Sequence, residues 1–284
     1  MEEFALRKTL SDELHARAFH DFEGAGRFVR FVFLTDDAEG LMLAHVNNFF
    51  SGQDRLQMSP DLKFLRVEMD GYVIRVEKHT EFMSISFIEW GMKQTTGLLA
   101  NAFSEAHSGM PLAWAKSSPM PVFHAIWLEI GGIAPPGNSQ EIMLGVMNSR
   151  AVAANCFSDG DAEIHFAFDI DDAGYSRIAV FNCNISPSRM GRTIQRIAEL
   201  ETYRLLALLG LAAVRENGAT LDRIERTVAS LTTDLAAQIK QSDGQVQQLL
   251  SVLSAQAADL EEIYSRTSYR LAATKAYEAI LMDR

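Results

Sequence analysis

The chain has 284 residues, of which 48% are hydrophobic and 22% are charged, so it is long enough to bury a large core. Its formal net charge is −11, and residues 1–187 carry all of it, with 14 Lys and Arg against 25 Asp and Glu. An acidic surface argues against nucleic acid as a partner, because phosphate contacts need a basic face, and it argues against docking of this part on anionic lipid.

The first half of the chain predicts helices and strands without a regular alternation. Leucines recur every fourth residue over 6–14, which predicts a short helix that ends near His15. Further helices are predicted over 38–50 and 93–106. Strands are predicted over 27–34, 63–69, 72–78, 82–88 and 122–130, with Asp70-Gly71 as a hairpin turn.

Apolar positions change parity within the region 72–90. They are even-numbered up to residue 76 and odd-numbered from residue 83, and this one-residue change requires a bulge or a turn over 79–81. His79 and Glu81 therefore occupy a special backbone site, close to Arg75 and Glu77 on the preceding strand. A histidine beside carboxylates can act as an acid, a base or a metal ligand, whereas a polar face with a turn-capping histidine is the commoner arrangement.

After residue 140 the chain first predicts strands and then only helices. Strands are predicted over 141–147, 151–157, 162–168 and 177–184, joined by short turns that imply mostly antiparallel pairing. From Ser186-Pro187 onward the chain predicts three helices, separated by breaks at Asn217-Gly218 and 242–244. We therefore predict an α+β fold. An acidic, mostly antiparallel sheet domain with flanking helices spans 1–185, and a long C-terminal helical hairpin or coiled-coil-like bundle spans 186–284.

A helical wheel of residues 191–211 separates apolar from polar side chains. The apolar arc contains Ile194, Ile197, Ala198, Leu205, Leu208 and Leu209, and the opposite arc contains Arg192, Arg196, Glu199 and Tyr203. The polar set predicts an interface or an interdomain clasp, with anion binding by the arginines as an alternative. Glu201 lies inside the apolar arc, so we expect it to be buried against the sheet domain with Arg204, His15 or Arg75 as its partner.

His15 and Arg17 end the first predicted helix. A cation in the last turn of a helix complements the helix dipole, which is the simplest role for both side chains. The alternative is that they reach the polar arc of residues 191–211 and pair with Glu199 there.

The last predicted helix carries a heptad-like pattern of apolar residues. Its members are spaced by three and four positions: Val246, Leu250, Leu253, Ala257, Leu260, Tyr264, Thr267 and Leu271. A period near 3.5 is typical of coiled coils, so we predict that the chain forms a homo-oligomer through this seam. The alternative is that the preceding helix of the same chain covers the seam.

Three blocks of the sequence resemble a known family. The most distinctive block contains Gly191, Arg192, Gln195, Arg196, Glu199, Glu201, Thr202, Tyr203, Arg204 and 207–211; the others are 13–19 (ELHARAF) and 77–82 (EKHTEF). With Ser268-Tyr269-Arg270 near the end, nearly the whole chain resembles the bacterial domain of unknown function 3422, although Ala18 and Ala212 replace prolines. The family is described as membrane-anchored, without established activity or catalytic residues. The resemblance implies a cytoplasmic domain at the inner face of the bacterial inner membrane, which contacts the membrane only through a segment absent from this chain.

The sequence favours an interaction module over an enzyme. It contains no P-loop, GxSxG, HExxH or EF-hand pattern, and its two cysteines lack the spacing of a zinc site, so we expect no metal and no cofactor. The longest apolar run in the helical part, 205–214, is too short to span a bilayer. We predict a non-catalytic interaction and oligomerisation module. The alternatives are the soluble part of a CorA-like ion-transport protein, suggested by the order of elements, and an enzyme that uses His79 and Glu81.

Overall fold

A computed structural model describes residues 20–35, 38–51, 57–93, 97–98, 101–133, 139–157, 160–182, 184–238 and 243–283. The chain divides into two compact units, residues 1–199 and residues 200–284, which are described in turn. The first predicted helix and the predicted site residues His15 and Arg17 lie outside the described residues.

The first unit is built around one eight-stranded sheet. Its strands are β1 (Ala25–Leu34), β2 (Phe64–Glu68), β3 (Val73–Lys78), β4 (Phe82–Met92), β5 (His124–Gly131), β6 (Val152–Phe157), β7 (Ala162–Ala167) and β8 (Ser176–Asn182). Their order across the sheet is β2-β3-β4-β1-β5-β8-β7-β6. Neighbouring strands are antiparallel, except that β5 and β8 are parallel. The predicted α+β fold with a mostly antiparallel sheet is confirmed.

The described α-helices flank the sheet and then extend the chain. They are α1 (Glu39–Phe49), α2 (Leu112–Lys116), α3 (Ser139–Val146), α4 (Pro187–Gln238) and α5 (Asp243–Met282), and a 3₁₀ turn spans Glu105–His107. Helix α4 begins at the proline that the sequence marks as a helix start, where the missing N–H leaves no bond unmade.

Two predicted elements of the sheet domain are wrong. Residues 139–146 form a helix where a strand was expected over 141–147, because Met143 and Met147, four residues apart, both lie in the core. Within the described part of 93–106, where a helix was expected, the backbone forms bends, turns and the short 3₁₀ turn. Phe103 there has a φ of 58°, which an α-helix does not accommodate.

The parity change in the sequence is a hairpin between β3 and β4. Lys78 pairs with Met83, and the N–H of His79 donates to the carbonyl of Phe82 at 2.8 Å. Even-numbered residues of β3 consequently face the same side as odd-numbered residues of β4, and both sets lie in one core. The turn predicted over 79–81 is confirmed.

The sheet has a core on each face. Odd-numbered residues of β1, β4 and β5 pack with α1, α2 and α3 on one face. Even-numbered residues of the same strands pack on the other face with Met190, Ile194, Ile197 and Ala198 from the first turns of α4. Because these turns cover the sheet, they belong to the first compact unit, which ends at Glu199. The domain boundary that the sequence predicts after residue 185 stays a prediction.

The second unit is a helical hairpin, which consists of α4 from residue 200 onward and of α5. The two helices run antiparallel: Thr274 Oγ1 donates to the Ala207 carbonyl at 3.2 Å, and Arg223 Nη2 donates to Asp259 Oδ2 at 2.7 Å. Gly210 permits this close approach, because a Cβ at that position would lie 2.4 Å from Thr274 Oγ1.

The helix break predicted at Asn217-Gly218 is wrong, since α4 continues to Gln238. An asparagine can compete for backbone groups and end a helix, but Asn217 Nδ2 donates to the Ala213 carbonyl one turn earlier, at 2.8 Å. The helix therefore continues through Asn217 and Gly218. The other predicted break, over 242–244, falls at the start of α5, whose first residue is Asp243.

Candidate functional site

Two buried charged side chains and one partly buried one form a cluster on the face of the sheet that packs with α1, α2 and α3. Arg27 on β1 donates from Nε to Glu129 Oε1 on β5 at 3.0 Å, and from Nη1 to Glu89 Oε2 on β4 at 3.3 Å. The strand order explains the geometry, because β1 lies between β4 and β5. We call these three residues the Arg27 cluster. Its central pair is shielded from water, since Arg27 is 4% exposed and Glu129 is fully buried.

The Arg27 cluster also holds the loop that follows β4. Arg27 Nη1 donates to the His107 carbonyl at 2.7 Å, and Nη2 donates to the Asn101 carbonyl at 3.1 Å. Phe103, with its left-handed backbone conformation, donates its N–H to Glu129 Oε1 at 2.9 Å. Residues 101–107 are thus fixed to the sheet by charged side chains, which offset the strain at Phe103.

The two oxygens of Glu129 differ in their surroundings. Oε1 accepts hydrogen bonds from Arg27, from the Phe103 N–H and from Trp127 Nε1. Oε2 is buried and has no hydrogen-bond partner among the described residues. Burial raises the pKa of the Glu129 carboxyl from its ordinary value of 4.5, although Arg27 and the N–H donors oppose the rise. Because the group is shielded from water, this geometry suits a structural clamp rather than a catalytic acid.

Sequence reasoning missed the Arg27 cluster, although the sequence carries a signal for it. Arg27 has the same parity as the core residues Val29 and Phe31 on β1, and Glu129 has the same parity as Trp127 on β5. A charge at a core-facing strand position costs several kcal/mol unless it is paired. Two opposite charges in such positions on two strands therefore predict a buried ion pair.

A second buried cluster lies on the opposite face of the sheet. Arg30 Nη2 on β1 donates to Glu77 Oε2 on β3 at 2.5 Å, and Arg75 Nη2 donates to Glu77 Oε1 at 3.1 Å. We call these residues the Arg30 cluster, and all three are buried. The sequence predicts Arg75 and Glu77 on the side of β3 away from its apolar residues. The structure buries that side as well.

Two serines allow the Arg30 cluster to bridge a strand. Strand β4 lies between β1 and β3, so Arg30 reaches Glu77 across Ser84 and Ser86, which are both fully buried. Arg30 Nε donates to Ser86 Oγ at 3.0 Å. Larger side chains at these two positions would stand between the charged groups and separate them.

His79 and Glu81, the residues of the enzyme alternative, belong to the turn between β3 and β4. The His79 ring stacks on the Phe82 ring with a centroid distance of 4.0 Å. Glu81 is buried, and its carbonyl accepts a hydrogen bond from the Thr35 N–H at 3.0 Å. These contacts join the turn to the end of β1. A catalytic role for His79 and Glu81 stays a prediction.

The polar arc predicted on α4 is exposed only at its beginning. Arg192 and Arg196 are exposed, and Arg192 Nη1 donates to Ser188 Oγ at 3.0 Å. Glu199 is buried and accepts a hydrogen bond from Gln195 Nε2 at 3.0 Å. Glu199, which the helical wheel places on the polar arc, is therefore covered in the structure, and the interface or clasp expected from this arc stays a prediction.

The helical wheel also fails beyond residue 200. Tyr203, on the predicted polar arc, is buried and stacks on Tyr277 at 5.5 Å, whereas Leu208, on the predicted apolar arc, is 47% exposed. The physical reason is that α4 packs on the sheet in its first turns and on α5 later. One wheel cannot describe two different buried faces of the same helix.

Glu201 has one of the partners expected for it. Its side chain is buried, and Arg204 Nη2 donates to Glu201 Oε2 at 2.7 Å while Arg204 Nε donates to Oε1 at 3.2 Å. Glu201 is thus buried, with Arg204 as its partner, and its burial against the sheet domain stays a prediction. Arg204 is 35% exposed, so the pair is only half shielded from water.

The heptad pattern of the last helix lies exposed on the hairpin. Six members of the pattern are 38–66% exposed: Val246, Leu250, Leu253, Leu260, Tyr264 and Leu271. Four more on α4 are 38–50% exposed: Leu208, Leu211, Val214 and Val228. We call these ten residues the hairpin face. The preceding helix leaves these six residues of α5 partly exposed.

The hairpin face is one continuous side of the hairpin. Leu211 directly follows Gly210, and Leu260 directly follows Asp259, and both preceding residues contact the other helix. Two antiparallel helices turn in opposite senses when both are viewed from the same end. A residue one position after a contacting residue therefore lies on the same side of the pair in either helix. Leu211 of α4 and Leu260 of α5 therefore lie on the same side of the hairpin.

The other side of the hairpin carries charged side chains. Arg266 Nη2 donates to Glu216 Oε1 of the facing helix at 3.2 Å, and its guanidinium also lies 3.7 Å from Glu262. These groups are more than half exposed, so their ion pairs add little stability but keep this side hydrated. The hairpin as a whole is thus amphipathic, with one side suited to a partner and one to water.

Two features that would identify a function are absent from the part of the chain that the structure describes. No three side chains of His, Cys, Asp or Glu lie close enough together there to hold a metal ion. None of the described helices has the length and apolar character needed to cross a bilayer. The independence from metal expected from the sequence stays a prediction.

Comparison with known proteins identifies a family but no function. The model of a family described as protein of unknown function, DUF3422, matches residues 2–284. No curated protein and no solved structure matches the chain. The function must therefore be argued from the geometry.

Proposed function

Because the chain belongs to the DUF3422 family, whose description names no activity, we propose from its geometry that it is a self-associating interaction module. Its binding surface is the hairpin face, and its partner is a second copy of the chain. The observation that carries the proposal is the exposure of an apolar heptad pattern on a hairpin whose other side is polar. Soluble proteins rarely expose so many contiguous apolar side chains without a partner.

The size of the hairpin face fits a stable dimer. Its ten side chains together expose roughly 900 Å², which is close to the area of about 800 Å² that each partner contributes to an interface of standard size. The stretch from Val246 to Leu271 alone extends over roughly 40 Å of helix. Burial of this surface supplies enough apolar contact for a lasting complex.

The charge distribution favours a second copy as the partner. Residues 188–284 contain 12 basic and 12 acidic residues, so two hairpins meet without net repulsion, whereas the rest of the chain carries the net charge of −11. Two hairpins that pack face to face form a four-helix bundle, in which heptad-spaced leucines of facing helices interdigitate.

Analytical ultracentrifugation over a range of concentrations tests this proposal. The double variant Leu250→Glu, Leu260→Glu places two charges in the hairpin face. The matched control Gln248→Glu, Ala255→Glu adds the same charge at exposed positions on the other side of α5. We expect the wild type and the control to sediment above the monomer mass of 31.6 kDa, and the first variant to sediment as a monomer.

Two outcomes would contradict the proposal. A wild-type chain that stays monomeric up to about 0.5 mM would remove self-association through any tight surface. Equal dissociation of both variants would show that charge, not the hairpin face, controls assembly. Circular dichroism of each variant confirms that the helices are intact, so that loss of the dimer is not loss of the fold.

The proposal also extends to location and to the other partners. The family resemblance implies a place in the cytoplasm at the inner face of the bacterial inner membrane, and separation of a cell lysate into membrane and soluble fractions would test it for the natural protein. The acidic first unit supports the absence of nucleic acid as a partner. The ion-transport and enzyme alternatives stay predictions.

A further inference from the structure

The eight-stranded sheet ends in two edge strands that differ in charge. Strand β2 carries Arg66 and Glu68, which are exposed and form an ion pair at 2.9 Å. Charged side chains on an edge strand discourage its pairing with a further strand. Strand β6 forms the other edge, and its sequence, VAANCF, contains no charged residue and no proline. One edge is protected and the other is open.

The outer side of β6 is accessible. Residues 153–156 of β6 pair with β7 and are exposed. The backbone N–H and C=O groups on the outer side of this stretch are therefore available to another strand. Ala153, Ala154 and Asn155 have small side chains, which leave room for a neighbouring strand.

We propose that β6 pairs in antiparallel fashion with β6 of a second copy, so that two sheets join edge to edge. Two identical antiparallel strands are related by a twofold axis, and each copy uses the same surface. Like charges that stand opposite one another destabilise a strand pair. The chain has a net charge of −11, but residues 152–157 bring no charge to the junction, which suits it to a second copy.

Aromatic residues beside β6 support the same partner. Phe166 pairs with Ala153, so both side chains lie on one face of the sheet, and the Phe166 and Phe168 rings stack at 5.9 Å. Phe168 is 51% exposed. A twofold axis perpendicular to the sheet places the same aromatic pair of the second copy on that same face. The joined sheets would then share one apolar strip across the junction.

This interface is independent of the hairpin face, because its residues belong to the first unit. A dimer through β6 can exist whether or not the hairpins associate. If both surfaces bind, each copy contacts two others, and the assembly grows beyond a dimer.

The test uses the chain that carries Leu250→Glu and Leu260→Glu, in which the hairpin face is blocked. We expect this background to show a concentration-dependent rise in weight-average mass from 31.6 kDa towards twice that value. Adding Ala154→Lys, a charge on the open edge, should hold the mass at the monomer value. Ala113→Lys, at an exposed position of α2, adds the same charge and should leave the rise unchanged. Hydrogen exchange of the β6 amides should slow with concentration only where the mass rises.

Each result has a defined meaning. A background that stays monomeric up to about 0.5 mM, with fast exchange at β6, overturns pairing with a second copy and leaves the edge to an unlike strand. Equal masses for the Ala154→Lys and Ala113→Lys chains overturn the assignment to β6. If Ala154→Lys does not fold, Asn155→Lys, whose side chain lies on the other face of the strand, provides the same comparison.

Discussion

At the residue scale, Glu129 makes the stability of the first unit depend on pH. Burial raises its pKa above the ordinary value of 4.5, so the folded chain binds the proton more tightly than the unfolded chain does. The stability from this difference is complete below the unfolded pKa and is lost as the pH rises through the folded pKa. We therefore expect the unfolding free energy of the wild type, relative to Glu129→Gln, to fall as the pH rises above about 4.5.

Urea denaturation of both chains from about pH 4 to pH 8 measures this difference. Both side chains are neutral at the acidic end, and only the wild type becomes charged. A difference that grows in favour of the wild type with rising pH would mean that the ion pair with Arg27 outweighs the burial of the carboxylate.

Glu201 is the second residue whose surroundings determine how much its replacement lowers the unfolding free energy. An ion pair that is fully buried loses about 3–5 kcal/mol when one partner is removed, but Arg204 is 35% exposed and water screens the pair. We expect Glu201→Ala to lower the unfolding free energy by about 1–2 kcal/mol. Glu199→Ala should cost at least as much, since Glu199 is buried too. If urea melts show that Glu199→Ala leaves the unfolding free energy nearly unchanged, the prediction that rests on the burial of Glu199 is wrong.

The buried charges also show where sequence reasoning stops at this scale. Core positions of β3 and β4 follow from alternation, because apolar side chains of one parity need one side of a sheet. That rule assigns Arg75 and Glu77 to the opposite, polar side, but it does not say that a second core covers this side. The partner of a buried charge depends on strand order, and alternation along one strand carries no information about its neighbours.

At the scale of elements, substitution by alanine is expected to have opposite effects on stability at two glycines of α4. A Cβ at Gly218 would meet no atom within 4 Å, whereas a Cβ at Gly210 would lie 2.4 Å from Thr274 Oγ1. Gly218→Ala should raise the unfolding free energy by about 0.5–1 kcal/mol, because alanine lowers the entropy of the unfolded helix segment. Gly210→Ala should lower it by about 1–3 kcal/mol through overpacking against α5.

Thermal unfolding of the two single variants checks this pair. A gain in stability for Gly218→Ala requires a helix that is continuous through Asn217 and Gly218. Destabilisation by Gly218→Ala would instead support the helix break that the sequence predicts at Asn217-Gly218.

The sequence predicts element boundaries correctly where local chemistry determines them. The predictions are wrong where tertiary contacts determine the boundaries. The hairpin over 79–81 and the helix start at Pro187 rest on parity and on proline geometry, which act locally. The strand expected over 141–147 has the apolar run of a strand and the four-residue spacing of a helix, and only the core shows which pattern is used. No α-helix forms in the described part of 93–106, because Glu129 holds Phe103 in a left-handed backbone conformation.

At the scale of the whole molecule, self-association through the hairpin face links stability to concentration. A dimer that binds only the folded chain adds free energy that grows with protein concentration. We expect the midpoint of thermal unfolding to rise as the concentration is raised, and we expect this rise to vanish in the Leu250→Glu, Leu260→Glu variant. Differential scanning calorimetry at two concentrations about 30-fold apart measures it. A midpoint that does not change with concentration in the wild type would exclude a dimer coupled to folding.

The parallel pairing of β5 with β8 has a consequence for the order in which the chain folds. The strands β2, β3 and β4 form hairpins between neighbours in the sequence, and so do β6, β7 and β8. Pairing of Ile126 with Ser176 closes a loop of about 50 residues, and such closure is slow because the chain loses entropy before the contact forms. Two locally formed meanders would therefore be joined late, through the ladders that β1 forms with β4 and β5 and that β5 forms with β8. The exposed edges of the meanders are the point at which a newly made chain is most open to misassembly.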